Sequence, residues 1–254
     1  AADLNVIALI GERGREVLEF IEDALGHEGM KRSVVICATS DQPSLVRLRA
    51  GYVATAIAEY FRERGGNVLF MLDTVTRLAR AQREIGLAIG EPPARQGYPP
   101  SVFSMLPRIL ERTGNSEKGK CTAIYTCLVA GGDMEDPIAD EVRGILDGHI
   151  VLSRELAEAG HYPALDIERS ISRVMTSVAP PLHIEQARRL RQLLSKLNKA
   201  RDLIQLGAYS PGSDPELDLA VRLQPAMQQL LQQDMHAPAS LGESVAQLQA
   251  VLNG

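Results

Sequence analysis

The sequence predicts an α/β protein: a parallel sheet with helices between its strands over residues 1–180, then an all-helical region over residues 181–254. Three observations carry this. Short apolar runs alternate with stretches of helical period up to about residue 180. Those runs are apolar throughout rather than alternating, as strands covered on both faces of a parallel sheet are. After Ala179-Pro180-Pro181 the strand-like runs cease, and leucines recur at helical spacing.

The first run, Val6–Ile10, stops at Gly11 and delivers Glu12 and Arg13 into a loop. A helix is expected over Arg15–Leu25 from the spacing of Val17, Phe20, Ile21, Ala24 and Leu25. Strands are expected at Ser33–Ala38, Val68–Asp73, Thr122–Val129 and His149–Leu152. Helices are expected between them at Ser44–Glu63, Thr76–Ile89, Val102–Arg112 and Ile138–Leu146. Asp41-Gln42-Pro43 supplies a capping residue and a proline for the first turn of the second helix, and Arg64-Gly65-Gly66 ends it. The segment Gly90–Pro100, GEPPARQGYPP, carries four prolines and reads as a structured loop. In the carboxyl-terminal region Ile184, Ala187, Leu190, Leu194, Leu197 and Leu203 share one helical face, and a loop follows at Tyr209–Pro215.

Composition excludes several classes. A net charge of -5 provides no basic field for nucleic acid or anionic lipid. The three cysteines, Cys37, Cys121 and Cys127, have no CxxC spacing, which speaks against a disulfide framework or a zinc site and fits a reducing compartment. No apolar run reaches the roughly 18 residues of a membrane span. No signal peptide is visible, and a first residue other than Met suggests a piece of a longer protein.

Three places combine residues suited to chemistry. Glu12, just past an apolar strand, with Arg13 and Arg15 nearby, suits activation of a water beside an anionic substrate, since open parallel sheets place their sites beyond the strands' carboxyl ends. A solvated charged loop explains the same residues equally well. Asp73 ends a second apolar strand, with Arg77 one turn into the helix that follows. Such an aspartate holds Mg²⁺ against β/γ-phosphates in nucleotide hydrolases, or it simply caps the helix. Arg173, after the polar run Asp166–Ser170, could reach a neighbouring subunit's phosphoryl group, or serve as a surface salt-bridge arginine. His149 and His161 have no partner spacing and read as structural.

Together these stretches resemble the type III secretion and flagellar export ATPases, relatives of the rotary ATP synthase catalytic subunit. The resemblance runs nearly unbroken over residues 3–180. It includes ALIGERGREV (Ala8–Val17), ATSDQP (Ala38–Pro43), RLRAGYVATAIAEYFR (Arg47–Arg62), the loop with its flanks at Gln82–Phe103, LPRILERTG (Leu106–Gly114) and Pro137–Val174. The wording ADEVRGILDGH and ERTGNSEKG looks more like the virulence or symbiosis branch than the flagellar one. The resemblance implies a RecA-like, P-loop NTPase core followed by an all-α domain, with ATP and Mg²⁺ as ligands. Glu12 matches the glutamate that polarises the attacking water, with Arg13 and Glu16 its neighbours in the loop. Asp73 matches the Walker B aspartate, holding Mg²⁺ through a water, and Arg77 an arginine close to the γ-phosphate. Arg173 matches the arginine finger that each subunit donates to the next in a homohexamer. Adenine contacts are expected in the helical region, around Tyr209–Pro211 and Asp234–Pro238.

The resemblance further implies a cytoplasmic protein, peripheral at the inner membrane. Stator and stalk proteins and chaperone–effector complexes would be its partners, and nucleic acid would not. No G-x-x-x-x-G-K-[ST] occurs in the chain. The amino-terminal barrel domain and the phosphate-binding loop of the family are therefore expected to lie upstream, and this stretch alone is expected to bind nucleotide weakly or not at all. Two competing expectations are a non-catalytic docking module of the same export apparatus and a hexameric nucleic-acid translocase. The net charge and the lack of a basic-aromatic groove oppose the second.

Overall fold

The computed structural model describes residues 2–253. The chain divides into two compact units, Ala1–Leu146 and Asp147–Gly254. In the first, strands β1 (Leu4–Ile10), β2 (Ser33–Ala38), β3 (Asn67–Asp73) and β4 (Lys120–Tyr125) form one parallel sheet in the order β2-β1-β3-β4. The chain leaves β1 toward β2 on one side and returns to β3 on the other. The order therefore reverses between β1 and β3, and their carboxyl ends flank the crevice that such a reversal opens. Val6–Ile10 of β1 are buried, as the unbroken apolar run requires of an inner strand.

The first helical stretch departs from the single helix expected over Arg15–Leu25. It runs as α1 (Gly14–Glu19), a π-helical segment (Phe20–Leu25) and α2 (Gly26–Met30). Gly26 adopts φ 61°, which breaks the α-helical path where another residue would be strained. Helices α3 (Ser44–Glu63) and α4 (Val75–Ala88) pack against the sheet, α5 (Pro100–Leu110) packs on α4, and α6 (Pro137–Ile145) packs on α5. Phe70, Leu72, Leu78, Leu106 and Ile109 are fully buried in this core. Each such side chain contributes roughly 1.5–3 kcal/mol of transfer free energy.

Strand β4 ends at Tyr125, four residues short of the apolar run that predicted it. The reason is local. The Thr126 N–H still donates to the Leu72 carbonyl of β3 at 3.1 Å, but after it the backbone bonds to the start of α4. The Thr126 carbonyl accepts from the Val75 N–H at 2.9 Å, and Thr76 Oγ1 accepts from the Leu128 N–H at 2.8 Å and donates to the Leu128 carbonyl at 3.2 Å.

In the second unit β5 (Gly148–Leu152) was expected in the parallel sheet, but it pairs antiparallel with β6 (Leu165–Ser172), a segment whose acidic and polar character masked a strand. Only a short connection containing α7 (Arg154–Glu158) separates them, which permits the antiparallel pairing. Helix α8 (Met175–Val178) leads into α9 (Pro181–Gln205), α10 (Pro215–Leu231) and α11 (Leu241–Asn253). These bury Leu190, Leu193, Leu197, Leu223, Met227 and Leu248 among themselves. Composition shifts at Pro180-Pro181, where the long helices begin, whereas contacts divide the chain before β5. The cause is that β6 is tied to α9: Arg191 Nη2 donates to the Ser170 carbonyl at 3.1 Å, and Asn198 Nδ2 donates to Glu168.

Candidate active site at the strand reversal

Glu12 reaches the crevice because β1 ends at Gly11. That residue adopts φ 75°, and a Cβ on it would lie 2.8 Å from Arg77 Cδ, so backbone conformation and close approach both call for glycine. The loop is then pinned to the end of β2, where Gly11 N–H donates to the Ala38 carbonyl at 2.6 Å and Ser40 N–H to the Glu12 carbonyl at 3.0 Å. Arg77 comes from the first turn of α4 and closes on this loop. Its Nη1 donates to the Gly11 carbonyl, its Nη2 donates to Glu12 Oε2 at 3.2 Å, and its Nε lies 2.9 Å from Oε1. The Nε–H is buried and out of line for a hydrogen bond, so that third contact is electrostatic only.

The Glu12 side chain is 14% exposed. Burial raises its pKa above the usual carboxylate value of 4.5. Arg77 opposes the rise, and the carboxyl groups of Asp73 and Glu16 reinforce it. The folded state thus binds the proton more tightly than the unfolded chain, so this group's contribution to stability is fully present below pH 4.5 and declines as pH rises through the folded pKa. Glu12→Gln removes that titration. The melting temperature of the native chain minus that of Glu12→Gln is expected to fall between about pH 4 and pH 7, as followed by thermal unfolding at several pH values. A difference that grows with pH would contradict the shift.

Asp73 ends β3, level with Leu9 in the β1 register, and its peptide bond to Thr74 is cis. It does not cap α4. Thr74 does so, its Oγ1 accepting from the Arg77 N–H at 3.2 Å. The Asp73 carboxylate is left to accept the hydroxyl proton of Thr126 on Oδ1. The sheet therefore brings Glu12, Asp73 and Arg77 together. Arg13 and Glu16 fall at the start of α1, where Glu16 Oε2 accepts from the Arg13 N–H at 3.2 Å. That N–H foremost holds the Glu16 carboxyl below its usual pKa. The Arg13 side chain is 79% exposed.

Among the described residues no group of three or more His, Cys, Asp and Glu side chains converges on a metal position. A single hard carboxylate at a crevice suits Mg²⁺, which keeps most of its waters and is held by one or two carboxylates together with substrate phosphates. Asp73 fits that role.

Arg173 and Tyr209 lie in the second unit. Arg173 follows β6 directly, its N–H donating to the Asp147 carbonyl at 2.7 Å. Tyr209 spends its hydroxyl on Asp218, whose Oδ2 also accepts from the Gly212 N–H at 2.9 Å, closing the loop before α10. An open cleft of about 550 Å³ lies elsewhere in this unit, lined by Tyr162, Pro225, Gln228, Gln232 and Asp234 among others. Tyr162 and Thr126 had no signal in the sequence: each gains meaning only from its neighbours in space.

A parallel sheet flanked by helices, with a largely buried glutamate, an arginine clamp and a strand-end aspartate at its strand reversal, is a RecA-like α/β core. The chain belongs to the ATP synthase alpha/beta family, whose nucleotide-binding domain matches residues 1–172, and residues 179–250 match the T3SS EscN ATPase C-terminal domain. The flagellum-specific ATP synthase of Bacillus subtilis (strain 168) is 60% identical over 247 residues, 97% of this chain and 56% of that protein. The type 3 secretion system ATPase of Xanthomonas euvesicatoria is 58% identical over 231 residues, 91% of this chain and 52% of that protein. The chain thus spans about half the length of these relatives, and the two identities do not separate the flagellar from the virulence branch. The assembled ATPase EscN of the enteropathogenic E. coli type III secretion system superimposes with a TM-score of 0.96 at 49% identity, covering 99% of this chain and 61% of that one. EscN in complex with its central stalk EscO gives a TM-score of 0.91.

Proposed function

We propose that this chain is the ATPase core and helical domain of a ring-forming enzyme that hydrolyses ATP to drive type III protein export, releasing chaperones and unfolding export substrates. The observation that carries the reading is the Glu12–Arg77 clamp beside Asp73 at the strand reversal. In it Glu12 polarises the attacking water, with its basicity raised by burial. Arg77 holds Glu12 in place and presents its cationic edge to the γ-phosphate. Asp73 would hold Mg²⁺ through a water, and the ion would supply charge neutralisation at the β/γ-phosphates. Arg13 and Glu16 shape the loop as the first turn of α1. Arg173 serves as the finger donated to the next subunit of a homohexamer.

For the base, an aromatic face and amide groups suit a purine. The cleft offers Tyr162, 58% exposed, with several glutamines, whereas Tyr209 is closed on Asp218. The cleft is therefore the better seat. Two of the solved relatives are an assembled EscN and its complex with a stalk protein, which supports a ring around a stalk. Stator proteins and chaperone–effector complexes complete the partners, in the cytoplasm and peripheral at the inner membrane. No helix among the described residues is long and apolar enough to cross a membrane.

The test is a titration with a fluorescent ATP analogue and Mg²⁺ on the full-length protein and on this 254-residue chain, side by side. The full-length protein is expected to bind, and this chain to bind weakly or not at all, because no Gly-Lys-Ser/Thr loop is present to cradle the phosphates. Absence of binding by the full-length protein would overturn the proposal.

A further inference from the structure

We propose that Thr126 is a positioning residue for the metal-bearing carboxylate: its hydroxyl orients Asp73 so that one carboxylate oxygen stays turned toward the Mg²⁺ water shell. The inference rests on the reading of Asp73 given above. The geometry is over-determined on the Thr126 side. The Thr126 N–H donates to the Leu72 carbonyl at 3.1 Å, and the Thr126 carbonyl accepts from the Val75 N–H at 2.9 Å. Its backbone therefore straddles Asp73, anchored to the residue before it and to the second residue after it. Thr76 pins the same loop two residues on, through both polar groups of Leu128.

From that platform Oγ1 has two acceptors in reach, Asp73 Oδ1 and the Leu72 carbonyl at 3.4 Å. The hydroxyl has one proton. An ionised carboxylate at the shorter contact takes it in preference to a carbonyl at the edge of hydrogen-bonding range. With Oδ1 so engaged, Oδ2 is the oxygen left for the metal's water. A free aspartate at a strand end would rotate about its terminal torsion, which is broad. Thr126 removes that freedom before nucleotide arrives. Groups that orient a ligand carboxylate in this way typically change metal affinity 10–100-fold when removed.

The experiment measures Mn²⁺ binding to the full-length protein by electron paramagnetic resonance, with a non-hydrolysable ATP analogue held at saturation. Thr126→Val keeps the shape and loses the proton, and Thr126→Ala is the second variant in case the valine packs badly. Both are expected to raise the Mn²⁺ Kd about tenfold or more. Thr126→Ser is expected to restore the native value. A purely structural role for Thr126 would lower the melting temperature and leave the Kd unchanged, and that result overturns the proposal. Asp73→Asn separates the two layers. If it loses Mn²⁺ while Thr126→Val and Thr126→Ala bind normally, the reading of Asp73 stands and that of Thr126 falls. If Asp73→Asn binds Mn²⁺ as the native protein does, the reading of Asp73 fails and takes the proposal with it.

Discussion

Replacing Glu12 by glutamine is expected to lower ATP turnover of the full-length protein by about 10²–10⁴-fold, the usual contribution of a positioned group that takes a proton from the nucleophile. The substitution keeps the length and shape of the side chain, and its amide oxygen can still accept from Arg77 Nη2. The contacts of Arg77 with the Gly11 carbonyl do not involve the Glu12 side chain and should persist. The fold and the ATP site should therefore survive, and what disappears is basicity. The expected signature is near-native binding of an ATP analogue together with loss of phosphate release in single-turnover assays. Retention of near-normal turnover would remove Glu12 from the chemistry, and with it the reading of the strand reversal as a hydrolytic site.

The second large effect concerns Arg173. As a finger donated across a ring interface, its replacement by alanine should cost about 10³–10⁵ in turnover. The sharper test uses both dead variants. In a ring built from Glu12→Gln and Arg173→Ala subunits, an interface with Glu12 from one subunit and Arg173 from its neighbour is native. Random equal mixing creates such an interface about one time in four, by the head-to-tail logic of heterologous contacts. Mixing two inactive proteins is thus expected to restore measurable hydrolysis. If Arg173 instead served its own subunit's site, no mixture would recover activity.

The legibility of the site differed residue by residue. Glu12 and Asp73 were readable because each ends an unbroken apolar run, and such runs stop where a parallel sheet opens to its crevice. Each nevertheless kept a bland alternative. The structure removes Asp73's, since Thr74 caps α4, and it shows Glu12 to be largely buried rather than solvated. Thr126 was illegible because its partner lies 53 residues away in the chain. β6 was missed because its polar residues conceal the period, and β5 was placed in the wrong sheet because strand periodicity does not report the direction of pairing.

What the sequence determined by itself was the layered α/β class, the helical carboxyl-terminal region and the family, because apolar periodicity is local and the motif wording is dense. What only the tertiary structure decided was who touches whom. Strand order put the end of β1 beside the end of β3, and only then could Arg77 clamp Glu12 and Thr126 take hold of Asp73. Those contacts depend on register and on bonds between distant segments, which no local pattern encodes.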